Sequence, residues 1–207
     1  QQEALRKLRL RPRQTMRIAQ QLYEGVDLGE EGRVGIITYM RTDSTRIDPE
    51  ALDDVRAYIR ANFDPAMLPE QPNFYKGKKD AQDAHEAIRP TATARTPDSI
   101  RAYLDNDQYN LYLLIWQRFV ASQMTPAVLD QTTIDTLARE HNFRATGSVM
   151  KFPGFTKLYE ESIEENGGDP DKSQQNRLQE VFLDETLSEE GLQPEQHFTK
   201  PPARYTE

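Results

Sequence analysis

The densest set of groups able to do chemistry is the segment 35–47, GIITYMRTDSTRI. Tyr39 and Arg41 stand two residues apart at the end of an apolar run, and in an extended chain they project to the same side. A tyrosine hydroxyl, with a pKa of about 10, is a poor nucleophile at neutral pH until a neighbouring cation favours the phenolate. A guanidinium also matches a phosphate bidentately and stabilises charge that develops in phosphoryl transfer. Thr42, Ser44 and Thr45 add hydroxyl donors suited to phosphate oxygens. The bland alternative is a strand followed by a Ser/Thr-rich capping turn, and on residue types alone it is the stronger of the two.

A second cluster is DAHEAIRPT, residues 83–91. His85, Glu86 and Arg89 fall at helical spacing, so that an imidazole and a guanidinium on one short turn could both face a phosphate. The alternative is a surface turn in which Glu86 and Arg89 pair with each other. The basic stretch 1–17 carries a net charge of +5 and reads as a solvated helix face, or as a backbone contact if a phosphodiester site lies nearby. His197, Lys200 and Arg204 lie in a Pro-rich stretch that reads as a stiff connector.

The elements that would position these groups follow from local signals. Pro12 suits a helix start and Gly25 its C-cap, with Met16, Ala19, Leu22 and Tyr23 at helical spacing between them. VGIITY reads as a short strand. Asp48 and Pro49 read as N-cap and first residue of the helix PEALDDVRAYIRANF. AHEAI reads as a helical turn ended by Pro90. Residues 97–124 read as two helices broken near Asp105–Asp107, and their aromatics Tyr103, Tyr109, Tyr112, Trp116 and Phe119 read as core. After Pro126, TTIDTLARE, NFRATGSVMKF and FTKLYE read as antiparallel strands, and ETLSEEGLQPEQHFTKPPARYTE as one more strand and an exit. Residues 161–177 are almost devoid of apolar side chains and read as a mobile acidic loop. The expected fold class is α+β. A helical, helix-turn-helix-like domain spans 1–124 and a β-rich antiparallel segment spans 125–207.

Composition limits the function classes. The chain of 207 residues has no Cys, which removes disulfides and thiolate metal sites. Its three His are far apart in sequence, which disfavours a His-clustered metal site. Mean hydropathy is −0.82 and no apolar run has the length of a membrane span, so no membrane partner and a cytoplasmic location are expected. The net charge of −8 argues against nucleic acid at face value. Residues 158–195 alone carry −10, however, leaving the remainder at +2.

Four stretches taken together are specific. VGIITYMRTDSTRI strongly resembles the active-site segment of type IA DNA topoisomerases, and QTMRIAQQLYEG, AHEAIRPT and EQHFTKPPARYTE resemble further segments of that family in the same order. LIWQRFVASQMTPA also fits, and only 161–190 matches poorly. The resemblance implies that Tyr39 attacks a DNA phosphodiester to give a 5′-phosphotyrosine intermediate, and that Arg41 holds the scissile phosphate. It places His85 near the DNA backbone, with Asp43, Ser44 and Arg89 in supporting or DNA-binding positions. It implies relaxation of negatively supercoiled DNA through a single-stranded segment, without ATP. It also implies a Mg2+ ion held in a Toprim domain that this sequence lacks, so that the chain is a monomeric fragment, inactive alone, carrying the tyrosine domain and part of an arch domain. No metal ligand is expected here; the acidic pair Asp169 and Asp171 lies in the polar loop. A non-catalytic DNA-binding module is the alternative. A tyrosine recombinase is disfavoured, because Tyr39 precedes both Arg41 and His85. Tyr39 is expected to be partly exposed.

Overall fold

The computed structural model describes residues 1–76, 85–160, 178, 180–196 and 198. The chain is α+β, with helices α1 (Gln2–Leu8), α2 (Pro12–Glu24), α3 (Pro49–Asn62) and α4 (Asn106–Ser122). A two-residue antiparallel pair joins β1 (Val26–Asp27) to β2 (Arg33–Val34), and a long antiparallel hairpin joins β3 (Val128–Ala138) to β4 (His141–Phe152). Two compact units result. The first takes residues 1–127 and the described part of 153–162, and the second takes 128–152 and the described part of 163–206.

The helices of the first unit form where local chemistry favours them. Pro12 supplies a preset φ at the start of α2, and Gly25 closes it at φ 119°, where a Cβ would meet the Arg33 side chain at 2.9 Å. The Asp48 side chain accepts from the Glu50 N–H at 2.9 Å and caps α3. Asp105 and Gln108 form a reciprocal capping box at the start of α4. The stretch before that cap is a short 3-10 turn, Asp98–Tyr103, so the expected break near Asp105 is present.

Ile18 and Leu22 of α2, Val55 and Ile59 of α3, and Tyr112, Trp116, Phe119 and Val120 of α4 are buried, together with Ile36, Ile37 and Met40. Each large side chain removed from water contributes about 1.5–3 kcal/mol. Polar groups inside this core are paired. The Trp116 indole donates to the Thr93 carbonyl at 3.0 Å, the Tyr112 hydroxyl to the Arg95 carbonyl at 2.7 Å, and the Thr93 N–H to Asp54 at 2.9 Å. Buried Gln123 both donates to and accepts from the Asn73 backbone. These bonds fasten residues 93–95 to α3 and α4, and so fix the segment 85–91 that precedes them.

Several sequence expectations differ from the structure. FTKLYE is not a strand: Gly154–Lys157 is a 3-10 turn, and residues 153–160 return to the first unit. There Tyr159 is buried and its hydroxyl donates to Glu3 at 2.8 Å. The first unit therefore extends past the expected limit at 124 and is discontinuous in sequence. Residues 185–196 contain no strand. AHEAI is not helical where described: residues 85–88 run as irregular chain. Tyr103 is exposed rather than in the core. VGIITY forms no regular strand beyond Val34 and a single bridge, Ile37 to Pro90. The loop 161–177 and the residues His197, Lys200 and Arg204 lie outside the described residues.

Candidate functional site

The segment carrying Tyr39 leaves α2 through the β1–β2 turn and passes back over the end of that helix. The Ile36 N–H donates to the Leu22 carbonyl at 2.9 Å. Gly35 makes this approach possible, since a Cβ there would lie 2.5 Å from the Tyr23 carbonyl oxygen. The chain then runs beside the segment 85–91. Thr91 N–H donates to the Ile36 carbonyl at 3.0 Å and Thr38 N–H to the Arg89 carbonyl at 2.9 Å. The Thr38 hydroxyl donates to the Ala87 carbonyl at 2.8 Å and accepts from the Arg89 N–H at 2.9 Å. One side chain thus ties the two motif segments together.

Tyr39 follows, half-buried. Its ring lies 5.4 Å from that of Tyr23, edge-on at 64°, and 5.2 Å from that of His85, tilted at 39°. Both distances fall in the range favoured for aromatic pairs. Met40 turns into the core, which leaves Arg41 on the surface. Arg41 makes no hydrogen bond or ion pair to any described residue, so its five donors are available to a ligand. It makes no hydrogen bond to the Tyr39 hydroxyl; the chain bends at Met40 and Arg41 rather than continuing extended.

Beyond Arg41 the hydroxyls hold the chain itself. Thr42 Oγ1 accepts from the Ser44 N–H at 3.0 Å, and Ser44 Oγ accepts from the Arg46 N–H at 3.1 Å. Ser44 is therefore engaged in the turn, while Asp43 is exposed without a partner among the described residues. The Ala87 N–H donates to the Arg46 carbonyl at 2.8 Å and closes the loop against the second segment. Asp48 then begins α3.

Arg89 is committed to the protein. Its guanidinium meets Glu86 at 2.8 Å and also donates to the Pro90 carbonyl at 3.0 Å. The i,i+3 pair seen in the sequence is real, although the backbone between its members is not helical. Arg89 braces the turn that delivers His85.

The structure therefore brings Tyr39 and His85 together, keeps Arg41 exposed and unpaired on the same loop, and uses Ser44 and Arg89 internally. Sequence reasoning assigned no site role to Tyr23, Thr38 or Glu86. Tyr23 belongs to the helical pattern of α2, and nothing in sequence spacing links it to Tyr39. Thr38 stood inside the motif, adjacent to the tyrosine, and that adjacency was the available signal.

Chemically, this is a phenol whose ring meets a second phenol and an imidazole, with a guanidinium two residues on that has no partner among the described residues. It suits attack on an anionic electrophile such as a phosphodiester. Among the described residues no group of three or more His, Asp or Glu side chains could hold a metal ion.

The whole chain, residues 1–207, matches the family model for DNA topoisomerase. It is 49% identical over 209 residues to the DNA topoisomerase 1 of Xylella fastidiosa strain Temecula1 and to that of strain 9a5c. The match takes in 100% of this chain and 26% of each relative. Full-length topoisomerase I from Thermotoga maritima superposes with a TM-score of 0.67 at 38% identity, over 82% of this chain and 27% of that one. The chain thus spans about a quarter of the length of the relatives it matches.

Proposed function

This chain belongs to the DNA topoisomerase family, and from that membership we propose that it carries the nucleophile of a type IA DNA topoisomerase. The observation that supports this most is the half-buried Tyr39 phenol, in ring contact with Tyr23 and His85, with Arg41 two residues on and without a partner among the described residues.

In the proposed reaction the Tyr39 oxygen attacks the phosphorus of a single-stranded DNA segment. The bond from phosphorus to the 3′-oxygen breaks. The phenol gives up its proton, and the leaving 3′-oxygen takes one to become a hydroxyl. The product is a 5′-phosphotyrosine ester. One phosphoester replaces another, so the return attack by the 3′-hydroxyl restores the strand without ATP. Between the two steps another strand passes, which relaxes negatively supercoiled DNA. Arg41 would clamp the phosphate and offset its developing charge. His85 would sit beside the DNA backbone, with Asp43 at the rim. Ser44 and Arg89 would act by holding the loop rather than by touching DNA.

The described residues offer no group of side chains that fits the Mg2+ ion of the full activity. We place its ligands in the part of the longer protein outside this chain, and propose that this piece alone is inactive. No helix among the described residues is long and apolar enough to cross a membrane. The proposed setting is the bacterial chromosome, with one copy acting on one DNA.

The test is a covalent-adduct assay. Labelled single-stranded DNA is incubated with this piece alone, and with the remainder of the protein plus Mg2+, and then run on denaturing gels. The expected result is an adduct only in the mixture, lost in Tyr39→Phe. An adduct that survives Tyr39→Phe would remove Tyr39 from the chemistry. DNA binding that is unchanged in Tyr39→Phe, with no adduct in the complete protein, would favour a non-catalytic DNA-binding module.

A further inference from the structure

We infer that Tyr23 is a positioning residue for Tyr39, setting the direction from which its hydroxyl approaches phosphorus; this rests on the reading of Tyr39 as the nucleophile. Attack on a phosphodiester needs the entering oxygen in line with the leaving one, and a misplacement of about 1 Å can cost roughly a hundredfold in rate. Tyr39 lies at the edge of the stretch that backbone hydrogen bonds hold. From Tyr39 to Thr45 no backbone–backbone hydrogen bond joins the chain to another described segment. The nearest such bonds are those of Thr38 on one side and of Arg46 on the other. The direction of the ring is therefore set by what touches it, and its two aromatic neighbours are Tyr23 and His85.

Of these two, Tyr23 has the firmer base. It lies in the last turn of α2, directly after Leu22, which is fully buried. The Leu22 carbonyl accepts from Ile36 N–H, and Gly35 packs against the carbonyl of Tyr23 itself. The helix end and the Tyr39 segment are thus joined twice through the backbone before the rings meet. His85, by contrast, lies in irregular chain rather than in a helix. Tyr23 is 40% exposed, and no hydrogen bond or ion pair ties its hydroxyl to a described residue. Its edge-on contact with Tyr39 uses the ring, so the ring and not the hydroxyl carries the role.

The experiment is single-turnover cleavage of a 3′-labelled single-stranded oligonucleotide by the complete topoisomerase polypeptide that contains these residues. The cleavage rate at saturating DNA and the Kd are measured separately, with melting temperatures as a fold control. Tyr23→Leu is expected to lower the rate about tenfold while Kd stays within about twofold, and Tyr23→Phe is expected to rescue the rate. If Tyr23→Leu fails to fold, Tyr23→Met replaces it in the same comparison. An unchanged rate in the Leu or Met variant would overturn the inference. So would a weakened Kd at full rate, which would make Tyr23 a platform for a base, or a Phe variant as slow as Leu, which would put the hydroxyl in the chemistry. Tyr39→Phe is run alongside. If its adduct persists, the nucleophile reading fails; if it abolishes the adduct while Tyr23 variants cleave normally, only the inference fails.

Discussion

Two side chains on the tyrosine segment do different work. Arg41 has no partner among the described residues, whereas Thr38 is engaged on both sides of its hydroxyl. Substituting Arg41 should therefore spare the fold and slow the chemistry. Arg41→Ala is expected to keep the melting temperature and to slow adduct formation about a hundredfold, the usual order for losing one charge-stabilising donor. Arg41→Lys should recover part of that loss only, because an ammonium lacks the bidentate fork. Thr38→Val should do the reverse. It leaves the Ala87 carbonyl and the Arg89 N–H without their partner in a part-buried place, at a cost of about 1–3 kcal/mol in urea unfolding.

Elements position these residues through contacts that tolerate little change. Gly35 lies against the end of α2 with no room for a Cβ. Gly35→Ala is expected to destabilise the first unit by about 1–3 kcal/mol and to slow cleavage as well, since it pushes the Tyr39 segment off Tyr23. Calorimetry and the adduct assay on the same variant would check both effects. The Asp48 and Asp105 caps stand apart from the site. Asp48→Ala should cost about 1 kcal/mol and leave the cleavage rate of the folded fraction unchanged. The Asp48 cap is legible in sequence because a cap is local: its side chain and its target N–H lie two residues apart. The AHEAI turn departs from its local signal for the complementary reason. Its spacing satisfies a helix, yet bonds to Ile36, Thr38 and Arg46 across the structure draw the backbone into a paired, non-helical course. Tertiary hydrogen bonds override a short helical preference.

The whole molecule is organised as two units, and the first closes on itself across the chain ends that lead to the hairpin. Phe155 N–H donates to the Thr125 carbonyl and Thr125 N–H to the Met67 carbonyl, both at 2.9 Å. The excursion that carries the hairpin therefore begins and ends at one point of the first unit. Replacing residues 128–152 with a short Gly/Ser linker is expected to leave a single cooperative melting transition for that unit. A lost transition would show that the hairpin supports it. Stability should also depend on alkali. Burial raises the Tyr112 hydroxyl above its ordinary value, and it donates to the Arg95 carbonyl. Since the folded pKa exceeds the unfolded one, the stabilisation is complete below about pH 10 and declines above it, as the unfolded chain ionises more readily. Urea midpoints across pH 9–12 should fall, and Tyr112→Phe should flatten that fall.

What the sequence determined by itself was short-range: the cap of α3, the break before α4, the course of α2, and a tyrosine, an arginine and a histidine set in recognisable motifs. Its charge distribution also showed that acidity was confined to one stretch. What only the tertiary structure decided was which of these groups meet. Tyr23 and His85 reach Tyr39 from 16 and 46 residues away in sequence. Arg89 spends its guanidinium on Glu86 and Pro90, and Arg41 has no partner among the described residues. Periodicity and capping act through neighbours along the chain, so a sequence displays them directly. Ring contacts and guanidinium partners are set by backbone paths that pass one another, such as Gly35 beneath Tyr23, and those paths exist only once the core has packed.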